Sequence, residues 1–454
     1  MNNRAANDLG NGNIFRLVMT FGLPAVIGLL INASYNFVDR IFVGNGVGAV
    51  GLGAITVCFP CFVLQIALSM LAGVGGGVNF AVSLGQKRHF KAEHIMANAF
   101  VFVFGLGIVF VAVHAAFLRP LLRLYGAPDD LMPAAVDYQR VLLFGTPLFM
   151  ATGAMNNFIR ASGYPRTAML TMLIGAVSNT FFDWLFIFKL KYGIAGAAAA
   201  TVIAQILSFC WTILFFIRTC PYRFKIRYAV PNPKIIAIVV SVGTAPFLIQ
   251  ICNGFVQTVF NRTLTQYGGS LAVSVMGVAM ATVMLMFMPC IGFCEGSQPI
   301  IGYNLGARKY KRVIKTYRTL IVITTFIFSA AWLFLRFGSE NVMRLFDPNN
   351  AEFIAVGSVA LKIVGISFPF VGFQLTTTYF LQSTKNPRMA SFLSVSRQLL
   401  FLAPFIVVLP KYMGVEGVFY SLPCSDFAAF LIAVPIYLHQ VSKYKKAARA
   451  ENGI

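Results

Sequence analysis

The chain has 454 residues, 58% of them apolar and only 11% charged, with a mean hydropathy of +0.76. Soluble proteins carry about 25% charged residues, so this composition excludes a water-soluble enzyme, a disulfide scaffold and a disordered binder. The net charge of +22 comes from basic residues lying between apolar runs, which points to membrane topology rather than to nucleic acid.

A membrane-spanning helix needs about 20 apolar residues, and twelve such runs follow one another. They cover residues 15–44, 53–84, 95–118, 136–158, 167–188 and 194–217 in the first half of the chain. In the second half they cover 235–262, 271–303, 319–337, 352–380, 390–409 and 417–438. With the N-terminus placed in the cytoplasm, 24 of the 36 Lys and Arg residues fall on the inside and 10 outside. This bias orients both termini toward the cytoplasm of a cell (inner) membrane. The eight cysteines lie in or against spans and read as small packing residues. The run Gly73–Gly77 lacks the strand and the Lys-Ser/Thr of a phosphate loop and reads as a place of close helix packing. No catalytic constellation, cofactor motif or metal-ligand cluster stands out, so an enzyme is not expected.

The two halves repeat each other. Leu84-Gly85-Gln86-Lys87-Arg88 is echoed by Leu305-Gly306-Ala307-Arg308-Lys309, and Gly163-Tyr164-Pro165-Arg166 by Lys385-Asn386-Pro387-Arg388. The offset is 221 to 222 positions, and six spans separate the copies. An even number of spans gives both copies the same orientation, as in transporters built from parallel repeats. The expected architecture is an all-α integral membrane protein with twelve transmembrane helices in two six-helix lobes. The lobes are residues 1–217 and 235–454, joined by a basic cytoplasmic linker over 218–234. Pro24 and Pro246 fall at equivalent places and predict a bend in the first helix of each lobe.

The run Asn36-Phe37-Val38-Asp39-Arg40-Ile41-Phe42-Val43-Gly44, the doubled Leu-Gly-x-Arg/Lys turn and the stretch Gly292-Phe293-Cys294-Glu295-Gly296-Ser297-Gln298-Pro299 carry a resemblance. Together they resemble the multidrug and toxic-compound extrusion (MATE) family, most of all its bacterial MepA-like and DinF-like branches. The resemblance covers nearly the whole chain. It implies an antiporter that exports organic cations and drugs against an inward proton or sodium gradient, by alternating access between two lobes. The proton is the favoured ion, no cofactor is implied, and one chain suffices as a monomer in contact with membrane lipids. The alternative within the same superfamily is a flippase for lipid-linked oligosaccharides or peptidoglycan precursors, which calls for a cationic cavity.

Carboxylates inside a membrane are costly and mark function. Asp39, Asp183, Glu295 and Asp426 are the four within spans. Asn32, Tyr35, Asn36 and Asp39 share one helical face, and a carboxylate backed by amides and a phenol can hold a proton or small cation. In the repeat, Asn32 and Asn36 correspond to Asn253 and Gln257, but Asp39 corresponds to Phe260. Asn179 and Asp183 lie one turn apart on the fifth span. The resemblance places the coupling role on Asp39, Asn179 and Asp183, with Asn36 beside them. The plain alternatives are an Asp39 that reaches the outer interface next to Arg40, and an Asp183 bonded to Ser178 or Thr201. Glu295 is the candidate anchor for a substrate cation, with Tyr35, Asn32, Asn253, Gln257 and Met288 as further substrate contacts. Met276, Met280, Met284 and Met288 recur every four residues and suit either packing or a pliable binding surface. Asp426 reads as structural, held by Ser421, Ser425, Lys362 or Arg397.

Overall fold

A bilayer offers no water to backbone N–H and C=O groups, so each apolar run must satisfy its own and become a helix. The computed structural model describes residues 9–125, 127, 129–222, 224, 228, 230–346 and 350–451, and among them no strand forms. The basic linker residues Arg223, Lys225 and Arg227 lie outside the described residues.

In the first half the helices are α1 (Ile14–Gly46), α2 (Ala49–Gly85), α3 (His89–Ala116), the short α4 (Leu118–Leu124), α5 (Met132–Ala161), α6 (Pro165–Asp183) and α7 (Gly193–Arg218). In the second half they are α8 (Pro233–Gly306), α9 (Tyr310–Phe346), α10 (Ala351–Gly365), α11 (Phe368–Ser383), α12 (Pro387–Val395), α13 (Ala403–Val408) and α14 (Pro410–Glu451). Ten helices are long and apolar enough to cross a membrane, and α10 with α11 forms one more span bent by 51°. The twelfth is α5, whose first turns carry Asp137, Gln139 and Arg140 and so dilute its hydropathy. It is nevertheless buried along much of its length against α2, α3 and α7.

The spans therefore fall where hydropathy puts them, with three differences. Spans seven and eight are two helices, numbered together as α8, that part at Gly269 without an intervening loop, its φ of 60° lying in the left-handed region. The span over 352–380 is the bent pair, with Pro369 at the start of α11. Its ring removes a backbone donor where the helix turns. Helix α9 extends nine residues beyond the apolar run at each end, because its basic first turns and Phe337–Phe346 add helix that hydropathy does not register.

The chain packs as two compact units. One holds Ile27–Gln250, the other Gly12–Val26 and Ile251–Ile454. The opening segment of α1 thus belongs to the second unit, and the opening segment of α8 to the first. Both changes of unit follow closely on a helix proline, Pro24 in α1 and Pro246 in α8, where the lost i→i−4 bond lets the axis bend.

Within the first unit, the Gly73–Gly77 run is a packing surface. A Cβ at Gly73 would meet Ala154 of α5, one at Gly75 the backbone of Val239 in α8, and one at Gly76 the ring of Phe158. Gly243 of α8 in turn faces the backbone of Leu71 in α2. In the second unit Gly292 and Gly296 lie against the backbone of Val26 and Phe21, in the segment of α1 that this unit holds. The small residues around Glu295 thus serve a close helix crossing. Deeper in that unit, the Thr324 hydroxyl meets that of Thr376 at 2.8 Å and Tyr317 donates to Thr377 at 2.8 Å.

All eight cysteines are free thiols, and no three His, Cys, Asp or Glu side chains come together as a metal site among the described residues. The two-glycine contact between α2 and α8 yields a stability prediction. Gly243→Val is expected to lower the thermal unfolding midpoint in detergent, since overpacking costs about 1–3 kcal/mol. Gly105→Val, at a site with no atom within 4 Å of its Cβ position, is expected to leave the midpoint almost unchanged.

Candidate functional site

In the first unit, Asp39 of α1 and Asp183 of α6 bring their carboxyl groups within hydrogen-bonding reach of each other. Asp183 is fully buried, and Asn179, one turn earlier, is 2% exposed. Sequence places them there through a single feature, the i, i+4 spacing on α6, while α1 supplies Asp39 from another helix of the unit.

The electrostatics of this site are dominated by acceptors. Neither carboxyl oxygen of Asp183 receives an N–H or O–H donor among the described residues, and neither does Asn179 Oδ1. The Asn179 amide donates to Thr201 Oγ1 on α7 at 3.3 Å, and that hydroxyl donates on to Ala197 O at 3.1 Å. Thr201 thus serves Asn179 and not Asp183. Arg40 lies close enough to act on Asp39, and the phenol of Tyr138 on α5 lies near Asp39, Asp183 and Tyr35. Immediately after Asp183 the backbone widens into a π-helical turn, Trp184–Lys189, a deviation frequent at functional sites. Buried acceptor oxygens without donors are rare. Two carboxyls and an amide oxygen of this kind can share a proton or coordinate a small cation.

The remaining candidates are spread over both units. Asn36 lies on α1, but its side chain is outside the described residues. Asn32 is exposed and Tyr35 half-buried on the same helix. In the second unit Glu295 is half-buried on α8, Gln257 is exposed, and Asn253 accepts a 2.6 Å hydrogen bond from Gln398 Nε2. Met288 is buried, Met276 and Met280 pack in or against the core of this unit, and Met284 is 61% exposed. A four-residue period drifts by about 40° per step on an α-helix, so the four thioethers do not share one face.

At the places equivalent to the paired acids, the second unit carries apolar residues. Phe260 is buried in its hydrophobic core, and the stretch Ala403–Phe405 that corresponds to Asp183 is uncharged and lies in α13. Its intramembrane acid, Asp426 on α14, has a resident counter-charge. Arg397 Nε donates to Asp426 Oδ1 at 2.6 Å, and Ser367 Oγ donates to Oδ2 at 2.7 Å. Ser421 and Ser425 bond the backbone of their own helix instead, and the cation that pairs with Asp426 is Arg397 rather than Lys362.

The MatE family model matches this chain twice, over residues 24–185 and 246–408. The chain belongs to the MatE family. The two matches fall one in each half, so the internal repeat is a repeat of this module. Among its relatives are the multidrug export protein MepA of Staphylococcus haemolyticus, 26% identical over 94% of both chains, and MepA of Staphylococcus aureus strain N315, 25% identical over 93% of both. A solved outward-facing multidrug resistance transporter of the MATE family superposes with a TM-score of 0.91 at 24% identity, covering 97% of this chain and 98% of that one. The twelve-helix fold is thus that of the MATE transporters, and this member is a transporter, not an enzyme.

One feature of this MatE protein escapes a reading of its sequence, and for a second the sequence gives only a set of alternatives. Tyr138 sits on the most polar span and corresponds in the repeat to Ala360. A polar residue with an apolar counterpart was the available signal, the same one that marks Asp39. The Arg397–Asp426 pair joins residues 29 positions apart on different helices, which no spacing rule reveals. The pair gives a testable consequence. Removing one partner of a buried ion pair leaves the other uncompensated, though here Arg397 is 21% exposed and partly screened. Asp426→Asn is expected to lower stability by up to about 3 kcal/mol. Arg397→Gln combined with Asp426→Asn is expected to regain most of it, read as coupling in a double-mutant cycle of thermal unfolding.

Proposed function

We propose that this transporter is a cation-coupled antiporter exporting organic cations, drugs among them, by alternating access. Its coupling site is Asp39, Asp183, Asn179 and Asn36. The observation that carries this reading is the carboxyl pair of the first unit, in which the buried Asp183 oxygens have no donor among the described residues and whose repeat counterparts are uncharged. Such a pair changes charge whenever an ion arrives or leaves, and a bound ion of different affinity in two states is what couples a gradient to substrate movement.

The reading favours a proton, because two carboxyls within reach of each other can hold one between them. Sodium would have to draw on Asn179 Oδ1 and the Thr201 hydroxyl as well. Multidrug export is the printed activity of the MepA relatives, and an organic cation suits the half-buried Glu295 with Tyr35, Asn32, Asn253, Gln257 and Met288. Flippase activity would need a cluster of uncompensated cations for a pyrophosphate, whereas of the two intramembrane cations Arg397 is committed to Asp426, leaving Lys362. The inside bias of basic residues supports a cytoplasmic membrane location with both termini inside, and the doubled module supports function as a monomer.

Proteoliposomes given an imposed pH gradient without sodium test this reading. Uptake of a fluorescent organic cation is expected, and Asp39→Asn or Asp183→Asn is expected to reduce it by at least about tenfold. Tyr138→Phe, which removes the hydroxyl beside the pair, is expected to shift the pH dependence of transport while leaving substrate binding intact. Transport driven by sodium alone would replace the proton with sodium, and silence under both gradients would overturn antiport.

A further inference from the structure

The two halves of the chain treat one equivalent surface in opposite ways. In the first unit this surface is the start of α3, and described linker residues pack on part of it. Tyr228 stacks on His94 with ring centroids 4.0 Å apart and meets Phe90 edge-on at 5.2 Å. Asn98 fastens the same segment, donating to Tyr228 O at 3.2 Å and accepting from Asn232 N at 2.6 Å.

Helix α9 is the repeat counterpart of α3 at an offset of 221. There Phe90, His94 and Ala97 are replaced by Lys311, Lys315 and Arg318. These line a groove of about 540 Å³ together with Phe15, Thr319, Val322 and Ile323. Both walls belong to the second unit, because Phe15 lies in the segment of α1 that packs there.

Three facts define what fits. Lys311, Lys315 and Arg318 are exposed, share one helical face at i, i+4 and i+7, and take part in no ion pair among the described residues. Like charges so spaced repel, so the cluster favours an anion. One turn further along, Val322 is 68% exposed, and Phe15 opposite it is 57% exposed, which gives the groove an apolar continuation. Topology alone explains basic residues in this turn, and Arg308, Lys309 and Arg312 already supply them. It does not require three more on a single face beside an apolar wall.

We propose that this groove binds an anionic phospholipid of the surrounding bilayer. Lys311, Lys315 and Arg318 hold the headgroup phosphate, and the first part of the acyl chains lies on Phe15, Val322 and Ile323. Basic pockets at the cytoplasmic ends of membrane helices recognise lipid headgroups in this manner, with about 1 kcal/mol per cation.

The test uses the full chain purified in a neutral detergent and titrated separately with phosphatidylglycerol, phosphatidylcholine and inorganic phosphate, with bound lipid read by native mass spectrometry. Phosphatidylglycerol is expected to bind at least about tenfold more tightly than phosphatidylcholine. Lys311→Gln, Lys315→Gln and Arg318→Gln together are expected to abolish that preference. Lys87→Gln, Arg88→Gln and Lys91→Gln together remove the same charge from the equivalent turn of the other half and are expected to retain it. Arg318→Gln alone, an exposed single change that spares folding, is expected to weaken the preference by about fivefold. Equal binding of the two lipids overturns the proposal. So does equal loss in both triple variants, which would reduce the effect to general charge attraction. Displacement of the lipid by inorganic phosphate at matching concentration would overturn it as well, by making the groove a free-anion site.

Discussion

Two carboxyl groups within reach of each other, inside an apolar helix bundle, are unstable as a pair of anions. The organisation of the first unit follows from that constraint. Asn179 spends its one donor group on Thr201 and presents only an acceptor near Asp183, so the protein supplies no neutralising hydrogen from this side. Within the chain the nearby positive charge is Arg40, which acts on Asp39. In the second unit Asp426 meets the same constraint with an internal solution, a guanidinium and a hydroxyl at 2.6 and 2.7 Å. One fold, used twice, thus holds one acid with a bonded guanidinium and one acid, Asp183, whose oxygens have no donor among the described residues.

The bilayer imposes the rest. Backbone groups are closed inside helices, so association depends on how near the helices can come. Glycine supplies that nearness at both kinds of contact described, Gly75 and Gly243 in one unit and Gly292 and Gly296 in the other. All four lie on α2 and α8, which are also the helices that meet the exchanged or retained opening segments of α8 and α1. A proline in each opening helix makes the change of unit geometrically possible.

Hydropathy made the spans legible because twelve apolar runs have few other uses, and repetition made the doubling legible because turns with the same charge recur at one offset. Asp39 and Asp183 stood out in the sequence through contrast, as acids that the other copy lacks. Their proximity was not visible, since they sit on helices separated by four others in the chain. Pro369 marked the bend between α10 and α11, yet nothing in composition distinguishes a kink from a break. The methionine run shows the opposite error of emphasis, because a regular spacing in sequence need not be a stripe in space. Tyr138 was hidden by its setting, a polar residue in the one span where polar residues are common.

Lys87 and Arg308 occupy the same turn of the two copies, and each has a φ of 59°, as Lys385 has one of 56°. The left-handed region disfavours any residue with a Cβ by about 1–2 kcal/mol, and glycine would adopt it freely. Chain direction across the membrane is decided by basic flanks as each segment inserts, before these turns exist. A mature protein with glycine at those corners would be more relaxed, but a nascent one would carry fewer instructions about which way to face. Lys191 has the same conformation at a fourth corner, so each strained corner among the described residues keeps a basic side chain where glycine would relax the backbone.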